Sequence, residues 1–449
     1  MGEKKKAKAI IVGGSTAGVS CAHALISAGW DVVVLEKSSQ PPRGSPTGAG
    51  LALDRQSINI IESWLPQPQL LQQTTLPLTI DQNQTADGEK EASRMLTRDE
   101  DFNFRAAHWA DLHGLLYNAL PAEVFLWGHL FISFRTSGDN TSVTVEAKVL
   151  QTEEIIEING DLLVAADGCL SPIRKTFLPD LKLRFLITAF CISENVSLVW
   201  FILADGKYYL FFRYSGYCAW RGVLDFSGNE DSETIRSIQR VYPDLGRCLY
   251  FDLRTGSHAV IYELLSKRLN WIWYVHQPEP EQKGNSVTMK VSSDMVENMY
   301  QEAEKIWGPE LVRVMRETKE PFINIIYDCD PLEQIFFDNV VLIGDAAHPT
   351  TPHGVRSTNM SILDAAVLGK CVEKWGAENI PSALEEYQRI QLPVASEQVL
   401  HSRRLGRIKQ GLALLDRKPF NPKTASAEEC GELQQKNMPF FSNVPLSVD

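Results

Sequence analysis

The feature that most constrains the fold is a glycine-rich turn between two short apolar runs near the N-terminus. The runs Ala9–Val12 and Asp31–Glu36 are typical of strands buried in a parallel sheet. Between them, residues 13–18 read Gly-Gly-Ser-Thr-Ala-Gly and lead into a helical pattern that ends at Gly29. One side of this helix is formed by Val19, Ala22, Leu25 and Ile26. The order of strand, turn, helix and strand predicts a βαβ unit.

This predicted unit is suited to a dinucleotide. Backbone N–H groups at the N-terminus of its helix face a pyrophosphate, and the helix dipole favours negative charge there. Glu36 lies 18 residues beyond Gly18, where a carboxylate accepts hydrogen bonds from ribose hydroxyls. Ser15 takes the place of the middle glycine of G-x-G-x-x-G, and we expect this small donor to be tolerated. The candidate cofactor-binding residues of the unit are Gly13, Gly14, Ser15, Thr16, Ala17, Gly18, Glu36 and Lys37.

Two further apolar runs also lead into an acidic residue. Residues 162–166 precede Asp167-Gly168, Ser171 and Arg174, and residues 340–343 precede Gly344-Asp345. Either pattern alone describes a strand that ends in a turn, which is common. The glycine turn followed in order by both acidic motifs is not common.

With these three motifs the chain resembles the group A flavoprotein monooxygenases, the aromatic hydroxylases similar to para-hydroxybenzoate hydroxylase. The motifs that carry the resemblance are Gly13–Gly18, Asp167–Arg174 and Gly344–Pro349. Other stretches look like the branch that contains 2,6-dihydroxypyridine hydroxylase and its plant relatives, namely Gly48–Leu51, Tyr214–Gly222 and Gly344–Gly376. The resemblance spans about residues 7–415.

The resemblance implies that the cofactor is FAD. It implies that Asp345 hydrogen-bonds the ribityl chain of FAD and that the Asp167 segment lies near the pyrophosphate. Gly50, Leu51 and Ser357 are expected to contact the cofactor as well. NADPH or NADH is expected to bind transiently, without a nucleotide-binding unit of its own, which agrees with the single glycine turn.

The reaction implied by the resemblance is monooxygenation. Reduced flavin reacts with O2 to give a C4a-hydroperoxide that must be kept from water, and one oxygen atom hydroxylates or epoxidises a small aromatic or heteroaromatic molecule. Two alternatives remain: a flavin oxidase or reductase on the same fold, and an FAD-binding protein with little turnover. The second alternative is motivated by the departures of the chain from the family at Trp109, at Arg356-Ser357 and in residues 185–212.

The stretch after Gly344-Asp345 holds the candidate catalytic residues. Residues 359–375 are predicted to form a helix whose dipole stabilises the anionic reduced flavin. Arg356-Ser357 stand where most of the family has a Gln-Gly pair. Arg356 either adds positive charge near the flavin or substrate or is a surface arginine. His348 and His353 are either acid–base groups or hydrogen-bonded structural histidines.

A second departure concerns the FAD phosphates. Three residues before Leu112 the family often has an arginine that binds these phosphates, but this chain has Trp109. A tryptophan does not replace that charge. Arg105, Arg55 and Arg43 are the possible substitutes, and the sequence does not choose between them.

The predicted fold class is α/β, or α+β overall: a discontinuous Rossmann-like FAD domain with an inserted, mainly antiparallel β-sheet substrate domain. The FAD domain is assigned residues 1–75, 95–183 and 290–420, the substrate domain residues 76–94 and 184–289, and a flexible tail residues 421–449. Strand patterns between residues 214 and 290 predict the antiparallel sheet. Its aromatic residues Trp220, Trp271, Trp273 and Tyr274 either line a pocket or belong to the core, and we favour the core.

Residues 185–212 form an atypical insertion within the predicted substrate domain. Eight of these 28 residues are aromatic, against 9% for the whole chain. Charges at positions 194, 205 and 207 interrupt the run, so we expect no stable membrane span. The segment is either a hairpin that acts as a lid or oligomer contact, or an in-frame addition such as a retained intron.

Composition argues against several classes of protein. The chain has 44 basic and 56 acidic side chains and a net charge of −12, which argues against nucleic-acid binding. Its eight cysteines form no Cys-x-x-Cys pair, so we expect no metal site and no dithiol redox centre. The N-terminus shows no apolar signal core, so we expect a cytoplasmic protein. The sequence predicts no oligomeric state.

Overall fold

The structure is a computed structural model that describes residues 6–42, 48–86, 93–179, 181–183, 211–281 and 286–434. Its strands are β1 (Lys8–Val12), β2 (Asp31–Glu36), β3 (Gly50–Leu53), β4 (Thr75–Leu78), β5 (Ile80–Thr85), β6 (Met95–Asp99), β7 (Phe104–His108), β8 (Phe125–Trp127), β9 (His129–Thr136), β10 (Val143–Val149), β11 (Ile155–Gly160), β12 (Leu162–Ala165), β13 (Lys182–Leu183), β14 (Phe211–Asp225), β15 (Cys248–Arg254), β16 (Ser257–Leu264), β17 (Arg268–His276), β18 (Thr288–Met289), β19 (Phe322–Cys329), β20 (Phe336–Phe337) and β21 (Val340–Leu342). Its α-helices are α1 (Thr16–Ser27), α2 (Arg55–Trp64), α3 (Gln69–Thr74), α4 (Trp109–Asn118), α5 (Pro172–Phe177), α6 (Glu233–Val241), α7 (Ser293–Ile306), α8 (Pro309–Glu317), α9 (Ser357–Trp375), α10 (Ile380–Lys409) and α11 (Ala427–Gly431).

A six-stranded sheet contains the predicted βαβ unit. Its order is β20-β21-β12-β1-β2-β8, and every pair is parallel except β20 with β21. The apolar run in β1 is almost fully buried, as expected for a strand inside a parallel sheet. α1 then returns the chain to β2, and Gly29 follows the helix with φ +85°, a conformation that suits glycine.

Parallel pairing brings the ends of β1, β12 and β21 to one edge of this sheet. Val12 is level with Ala165, and Ala165 is level with Leu342. The residues that follow these three strands are the glycine turn, the Asp167 motif and the Gly344-Asp345 motif. The three motifs therefore meet although more than 300 residues separate the first from the last.

α9 packs closely against α1 behind this edge. A Cβ placed on Gly369 of α9 would lie 2.8 Å from the Cβ of Ala24 in α1, so the glycine permits the close approach of the two helices. α9 starts two residues earlier than the predicted start at residue 359. Its first turn lies beside the glycine turn because both helices begin at the same sheet edge.

A larger sheet forms the second layer of the molecule. Its order is β18-β19-β14-β17-β16-β15-β5-β6, with β13 beside β14, and most pairs are antiparallel. Side chains alternate between its two faces. Trp220, Trp271 and Trp273 point into the main core, in line with the core interpretation, whereas Tyr217 and Tyr274 lie in a second core on the opposite face. The mixed α/β fold with a separate antiparallel sheet confirms the predicted fold class.

The large sheet draws strands from several parts of the sequence. β5 comes from the segment assigned to the substrate domain, while β6 and β19 come from segments assigned to the FAD domain. β6 pairs with β5, and β19 pairs with β14. The sequence contains the strand patterns but not the register that joins distant segments in one sheet, so the assigned domain boundaries stay a prediction.

The described part of the segment predicted as a flexible tail forms a helix and is packed against the protein instead. Residues 427–431 form α11 with a capping box between Ser426 and Glu429, and Cys430 and Leu433 are buried in the second core. Apolar side chains spaced along a polar segment supply the burial that the tail prediction overlooked. Residues 435–449 and most of the predicted insertion, 184–210, lie outside the described residues. Among the helices that the structure describes, none combines the length and the hydropathy needed to cross a membrane.

Candidate flavin site and active site

The glycine turn between β1 and α1 is held by contacts that exclude a side chain. Gly13 has φ +100°, and a Cβ on it would lie 2.3 Å from Ala166 O. A Cβ on Gly18 would lie 1.8 Å from Gly13 O. Ser15, the residue before α1, is exposed and its hydroxyl makes no capping hydrogen bond. The turn is therefore tight, and serine is accommodated at the middle position.

The N-terminus of α1 opens onto this turn. The first hydrogen bond of the helix runs from Val19 N–H to Ser15 O at 2.9 Å, so the N–H groups of residues 16–18 precede it. Ala17 is partly exposed, while Thr16 and Gly18 are buried. The first turn of the helix itself contains no acidic residue that would compensate the positive end of the helix dipole. This end of α1 is suited to bind an anion.

Glu36 lies across the turn, at the end of β2. Its Oε2 accepts a hydrogen bond from Gly14 N–H at 2.8 Å, and its Oε1 accepts from the N–H and the hydroxyl of Ser38, both at 2.8 Å. These three bonds orient the carboxylate next to the glycine turn. The side chain of the neighbouring Lys37 is exposed.

Arg174 joins the second motif to the third. This arginine is buried, and its Nη1 donates to Asp345 O at 3.1 Å and to Ala346 O at 2.8 Å. Asp167, from the same motif, accepts from Ile173 N–H at 3.2 Å through Oδ2. Its Oδ1 is buried without a hydrogen-bond partner among the described residues, and burial raises the pKa of Asp167. Such an orphaned oxygen indicates a missing donor, which a ligand or a water supplies.

The third motif contacts both the glycine turn and the start of α9. Gly344 has φ +57°, and a Cβ on it would lie 2.9 Å from the Cβ of Ala17 and 2.9 Å from Ser361 Oγ. The Ser357 hydroxyl donates to Asp345 Oδ1 at 2.8 Å. The structure thus brings the predicted cofactor-binding residues Ala17, Asp345 and Ser357 together at one place.

His348 is held by a carboxylate of α9. Asp364 Oδ2 lies 2.6 Å from His348 Nε2 and accepts from Gly344 N–H at 2.7 Å, while Oδ1 accepts from Gln391 Nε2 at 3.1 Å. Burial lowers the pKa of His348, but the charge and hydrogen bond of Asp364 more than offset it, so the net pKa is raised. This buried position favours the structural alternative for His348 over acid–base chemistry.

Arg356 is buried, so its interpretation as a surface arginine is wrong. Its Nη1 lies 3.2 Å from Asp54 Oδ2, and its guanidinium lies 5.1 Å from the centre of the Phe104 ring. Burial lowers the pKa of Arg356, and Asp54 opposes that shift. The backbone N–H of Asp54 also donates to Asn359 Oδ1 at 2.9 Å. Arg356 therefore ties the start of α2 to the start of α9, and its charge is paired.

Trp109, in place of the family arginine, packs next to the glycine turn. It begins α4, and its ring lies 5.6 Å from the ring of His113. His113 Nε2 in turn lies 2.7 Å from Gly14 O. The tryptophan therefore supports α4 against the turn and supplies no charge there.

The three possible substitutes for that arginine are placed differently. Arg105 donates to Thr75 Oγ1 at 2.6 Å, to Thr75 O at 2.7 Å and to Gln72 O at 3.2 Å, so its guanidinium is engaged beside β4. Arg55 is exposed at the start of α2. Arg43 lies outside the described residues.

Gly50 and Leu51 lie where β3 meets the large sheet. Gly50 N–H donates to Asn270 Oδ1 at 2.8 Å, and a Cβ on Gly50 would lie 2.5 Å from Tyr262 Oη. Only glycine allows the strand to come this close. Leu51 follows with a partly exposed side chain.

His353 packs on the second face of the large sheet, apart from His348. Its ring lies 5.2 Å from His258, 5.0 Å from Tyr274 and 5.8 Å from Tyr217. Its Nδ1 lies 3.2 Å from Thr351 Oγ1. Burial lowers the pKa of His353 to about 3, and the charge of Lys409 acts in the same direction. His353 is therefore neutral at pH 7.

Several partners of these residues were not found from the sequence. For two of these partners the sequence contains a helical spacing that places them on the same face as a site residue. His113 lies four residues after Trp109, and Asp364 lies seven residues after Ser357 in α9. Asp54 had no such signal, because 302 residues separate it from Arg356. His258 had none either, since an isolated histidine in a strand pattern says nothing about its neighbours.

The residues at this edge fit FAD. The glycine turn is tight and free of side chains at Gly13, Gly14 and Gly18, the α1 N-terminus suits a pyrophosphate, and Glu36 offers a carboxylate for ribose hydroxyls. Asp167 Oδ1 is an acceptor in need of a donor. Among the described residues no group of His, Cys, Asp and Glu is placed to hold a metal ion.

Comparisons with known proteins agree with this geometry. The FAD binding domain family model matches residues 6–182 and 280–402. A 3-amino-4-hydroxybenzoate 2-monooxygenase of Streptomyces cremeus is 24% identical over 401 residues, which cover 88% of this chain and 86% of the relative. The chain is thus similar to a named monooxygenase over most of both lengths.

Solved structures show the same fold. The 2,6-dihydroxypyridine-3-hydroxylase from Arthrobacter nicotinovorans has a TM-score of 0.70 at 19% identity, covering 94% of this chain and 96% of that one. Klebsiella pneumoniae HpxO, in complex with FAD and uric acid, has a TM-score of 0.70 at 18% identity, and 98% of each chain is covered. Because the family model matches well over half of its residues, the chain belongs to the FAD binding domain family and, within it, to the FAD-dependent aromatic monooxygenases.

Proposed function

We propose that the protein uses NAD(P)H and O2 to hydroxylate or epoxidise an aromatic or heteroaromatic small molecule. The observation that carries the proposal is the meeting of the three motifs at one sheet edge, where Arg174 bonds the Asp345 carbonyl. The Streptomyces cremeus relative is named for an aromatic substrate, and the HpxO structure holds uric acid, a heterocycle. Both names support a planar ring as the substrate.

In this proposal the cofactor-binding residues hold FAD along its length. The N–H groups of residues 16–18 bind the pyrophosphate, and Glu36 accepts from the adenosine ribose. Asp345, oriented by Ser357, accepts from the ribityl chain. Gly50 and Leu51 flank the ring system from the β3 side. Gly13, Gly14, Gly18 and Gly344 allow the glycine turn and the third motif to pack closely against neighbouring protein atoms, which keeps both motifs in place for the cofactor.

When bound, FAD would supply the redox chemistry of the reaction, namely oxidation of NAD(P)H and transfer of one oxygen atom of O2 to the substrate, with the other atom released as water. The N-terminus of α9 directs its dipole at that cofactor and stabilises negative charge there. Arg356 contributes less positive charge to the site than an unpaired arginine would, because its ion pair with Asp54 offsets that charge. We therefore assign Arg356 to positioning α9.

The two candidate histidines take different roles in the proposal. His348 positions the Gly344 loop through Asp364. His353, neutral at pH 7, faces the second face of the large sheet and serves as a hydrogen-bonding group towards the substrate. The aromatic rings around His353 keep water from the reacting centre.

The test is turnover by the purified, FAD-loaded chain. NADH or NADPH oxidation is followed with a panel of hydroxybenzoates, hydroxypyridines and purines, and the product is analysed by mass spectrometry after reaction in labelled O2. We expect one labelled oxygen atom in the product for each NAD(P)H consumed. The matched control omits the aromatic compound.

The same assay separates the proposal from its alternatives. Consumption of O2 with hydrogen peroxide as the only product would identify a flavin oxidase. Reduction of the aromatic compound without O2 uptake would identify a reductase. A normal flavin spectrum with no accelerated NAD(P)H oxidation for any compound would indicate an FAD-binding protein with little turnover.

A further inference from the structure

A cavity of about 220 Å³ lies at one end of the large sheet, which we call the end cavity. Its wall is formed by the end of β5, by the turn that joins β15 to β16, by the C-terminus of α7 and by residues 422–423. Ser257 in this wall is five residues from Tyr262 on β16, about 17 Å at the usual rise of a strand. Tyr262 lies beside Gly50 of the flavin site. The end cavity is therefore separate from the flavin site.

The side chains that line the end cavity are positively charged or neutral. Arg254 and Lys423 are the cationic ones, while Thr85, Thr255 and Ser257 carry hydroxyl groups. Among the described residues that line the cavity, none is acidic, and those that remain are apolar. A wall with charge of one sign attracts the opposite charge, so the end cavity favours an anion.

The guanidinium of Arg254 lacks an acceptor. Its Nε is buried and has no hydrogen-bond partner within the part of the chain that the structure describes. Asp252 lies two residues earlier in β15, but its Oδ1 accepts from Gln84 Nε2 at 2.8 Å and its Oδ2 accepts from the Tyr242 hydroxyl. Burial raises the pKa of Asp252 to about 6, although the charge of Arg254 opposes the shift. Since buried polar atoms are nearly always hydrogen-bonded, Arg254 Nε indicates a missing ligand.

Two hydroxyl groups of the wall can donate to such a ligand. Thr85 Oγ1 accepts from Arg94 N–H at 2.8 Å, and this bond does not use the hydrogen of the hydroxyl. Thr255 is exposed in the turn between β15 and β16. Ser257 differs, because its hydroxyl hydrogen is donated to Tyr274 O at 2.8 Å. The donors of the end cavity are therefore Arg254, Lys423, Thr85 and Thr255.

The arrangement of these donors is suited to a tetrahedral anion. Thr85 ends β5, Arg254 ends β15, and Lys423 belongs to the segment after α10, so the donors come from three separate parts of the chain. A phosphate group presents acceptor oxygens in several directions, whereas the two oxygens of a carboxylate share one plane. A guanidinium binds phosphate with two parallel hydrogen bonds. The volume is below the range of about 300–1,000 Å³ that is typical of drug-sized ligands, so the ligand is small.

We propose that the end cavity binds a phosphate group, either as free phosphate or as a small phosphate monoester, with Arg254 as its main ligand. Arg254 donates to the phosphate from Nε and from the end of its guanidinium, and Thr85 and Lys423 donate to the other oxygens. The assignment goes beyond the proposed monooxygenase function, because no residue of the flavin site takes part in it.

Two features of the surroundings limit the affinity for an anion. α7 ends at Ile306 in the wall of the cavity, and the C-terminus of a helix carries partial negative charge. Asp252 keeps a carboxylate close to Arg254. We therefore expect a dissociation constant for phosphate of about 1 mM rather than a micromolar value.

A bound phosphate would join the end of the large sheet to the segment after α10. Arg94 already holds this segment, because its guanidinium donates to Lys423 O at 3.1 Å and to Ala425 O at 3.0 Å. Phosphate between Arg254 and Lys423 adds a second attachment. We therefore expect phosphate to raise the Tm and to slow proteolytic cleavage within residues 420–434.

Calorimetric titration of the FAD-loaded full chain at constant ionic strength tests the site. The probes are inorganic phosphate, glycerol 2-phosphate, acetate and glycerol. We expect one phosphate-bearing probe to bind per chain, about tenfold or more tightly than acetate, and glycerol not to bind. Tighter binding of the ester would identify a monoester as the ligand, and tighter binding of inorganic phosphate would identify the free ion. Acetate binding as tight as phosphate binding, or no saturable binding of either phosphate probe, would overturn the assignment.

Variants locate the binding at Arg254. Arg254→Met removes the charge and the donors, so we expect phosphate binding to weaken about tenfold or more and FAD affinity to stay unchanged. The rise of the Tm with phosphate should disappear in this variant. Arg236→Met, at an exposed arginine of α6, is the matched control and should bind phosphate normally. Phosphate affinity unaltered by Arg254→Met would contradict the proposal.

A variant at the surface keeps the test decisive if Arg254→Met does not fold. Lys423 is exposed, so Lys423→Met is expected to fold and to weaken phosphate binding about threefold or more. Unchanged binding by Lys423→Met would then overturn the assignment. Neither measurement uses turnover, so absence of an oxygenated product would remove the proposed function and leave the phosphate site standing.

Discussion

At the scale of single residues, the carboxylate of Glu36 is the clearest link between sequence and cofactor. It ends β2, and three hydrogen bonds from Gly14 and Ser38 fix its two oxygens. A carboxylate accepts hydrogen bonds from hydroxyl groups with both oxygens, whereas a glutamine of the same shape offers only one acceptor. Hydrogen bonds to an ionised group are also the stronger ones.

Replacing Glu36 with glutamine tests this assignment. We expect the dissociation constant of FAD to rise about 10- to 100-fold, because a hydrogen bond to a charged group contributes about 1.5–3 kcal/mol. The measurement is a fluorescence titration of the apoprotein with FAD. Glu123→Gln, at an exposed position of the same domain, is the control and should bind FAD normally. FAD affinity unaltered by Glu36→Gln would mean that another group holds the ribose.

Single residues also show which parts of the candidate site could be predicted from the sequence and which could not. Glu36, Asp167 and Asp345 were expected at the ends of three buried strands, and in the structure they lie at or just after the ends of β2, β12 and β21 of one sheet. The burial of Arg356 was not predictable, since its partner Asp54 lies 302 residues away and a composition rule places arginine at the surface.

At the scale of elements, α9 holds the third motif in place at the sheet edge where the three motifs meet. Its first residue, Ser357, bonds Asp345, and its second turn carries Asp364, which binds the loop through Gly344 N–H and His348. The helix therefore holds the third motif at two points. Asp364 is nearly fully buried, so these bonds are not exchanged for bonds to water.

Removing the Asp364 side chain is expected to destabilise this edge. In Asp364→Ala, Gly344 N–H, His348 and Gln391 all lose their acceptor, so we expect the free energy of unfolding to fall by about 2–5 kcal/mol. Urea denaturation of the apoprotein measures it, and FAD retention on gel filtration reports on the loop. Glu373→Ala, at an exposed ion pair of the same helix, is the control and should cost less than about 1 kcal/mol. A loss no larger than that of the control would mean that Asp364 does not hold the loop.

Elements with a complete local pattern were predicted well from the sequence. β1, α1 and β2 lie within the predicted βαβ unit, and α9 starts two residues before its predicted start. Elements whose position depends on distant partners were not predicted well. β6 joins the large sheet by pairing with β5, and β19 joins it by pairing with β14, and the local pattern specifies neither pairing. α11 was missed because its few apolar side chains are buried against the second core, a contact that the local pattern does not specify.

At the scale of the whole molecule, many of the histidines are buried as neutral groups. Burial is the main cause that lowers the pKa of six of the nine: His23, His108, His113, His258, His353 and His401. They are spread over both cores and over the contacts of α1 and α4 with the glycine turn. Proton binding by the unfolded chain is therefore linked to the stability of the entire fold.

This burial predicts that the protein is less stable at pH 6 than at pH 8. As the pH falls through about 6.5, the unfolded chain takes up more protons at these six histidines than the folded chain does, because their pKa values are lowered in the folded chain, so the free energy of unfolding falls. Lys409 acts in the same direction, because burial lowers its pKa to about 7 and only the unfolded amine is fully protonated at pH 8. His348 opposes the trend, since its raised pKa stabilises the fold below about 6.5 and that gain is lost as the pH rises. Asp252 also opposes it, because burial raises its pKa to about 6.

Burial also raises the pKa of Asp167, Asp345 and Glu263, which therefore oppose the trend as well. We expect the six histidines and the lysine to outweigh these groups, with a net loss of about 1–3 kcal/mol between pH 8 and pH 6. Urea denaturation at fixed excess FAD, repeated at half-unit pH intervals, gives the free energy of unfolding and its slope. The slope should be steepest near pH 6.5, where free histidines titrate. A flat profile, or greater stability at pH 6, would show that the histidines exchange protons in the folded state and that the second core is open to water.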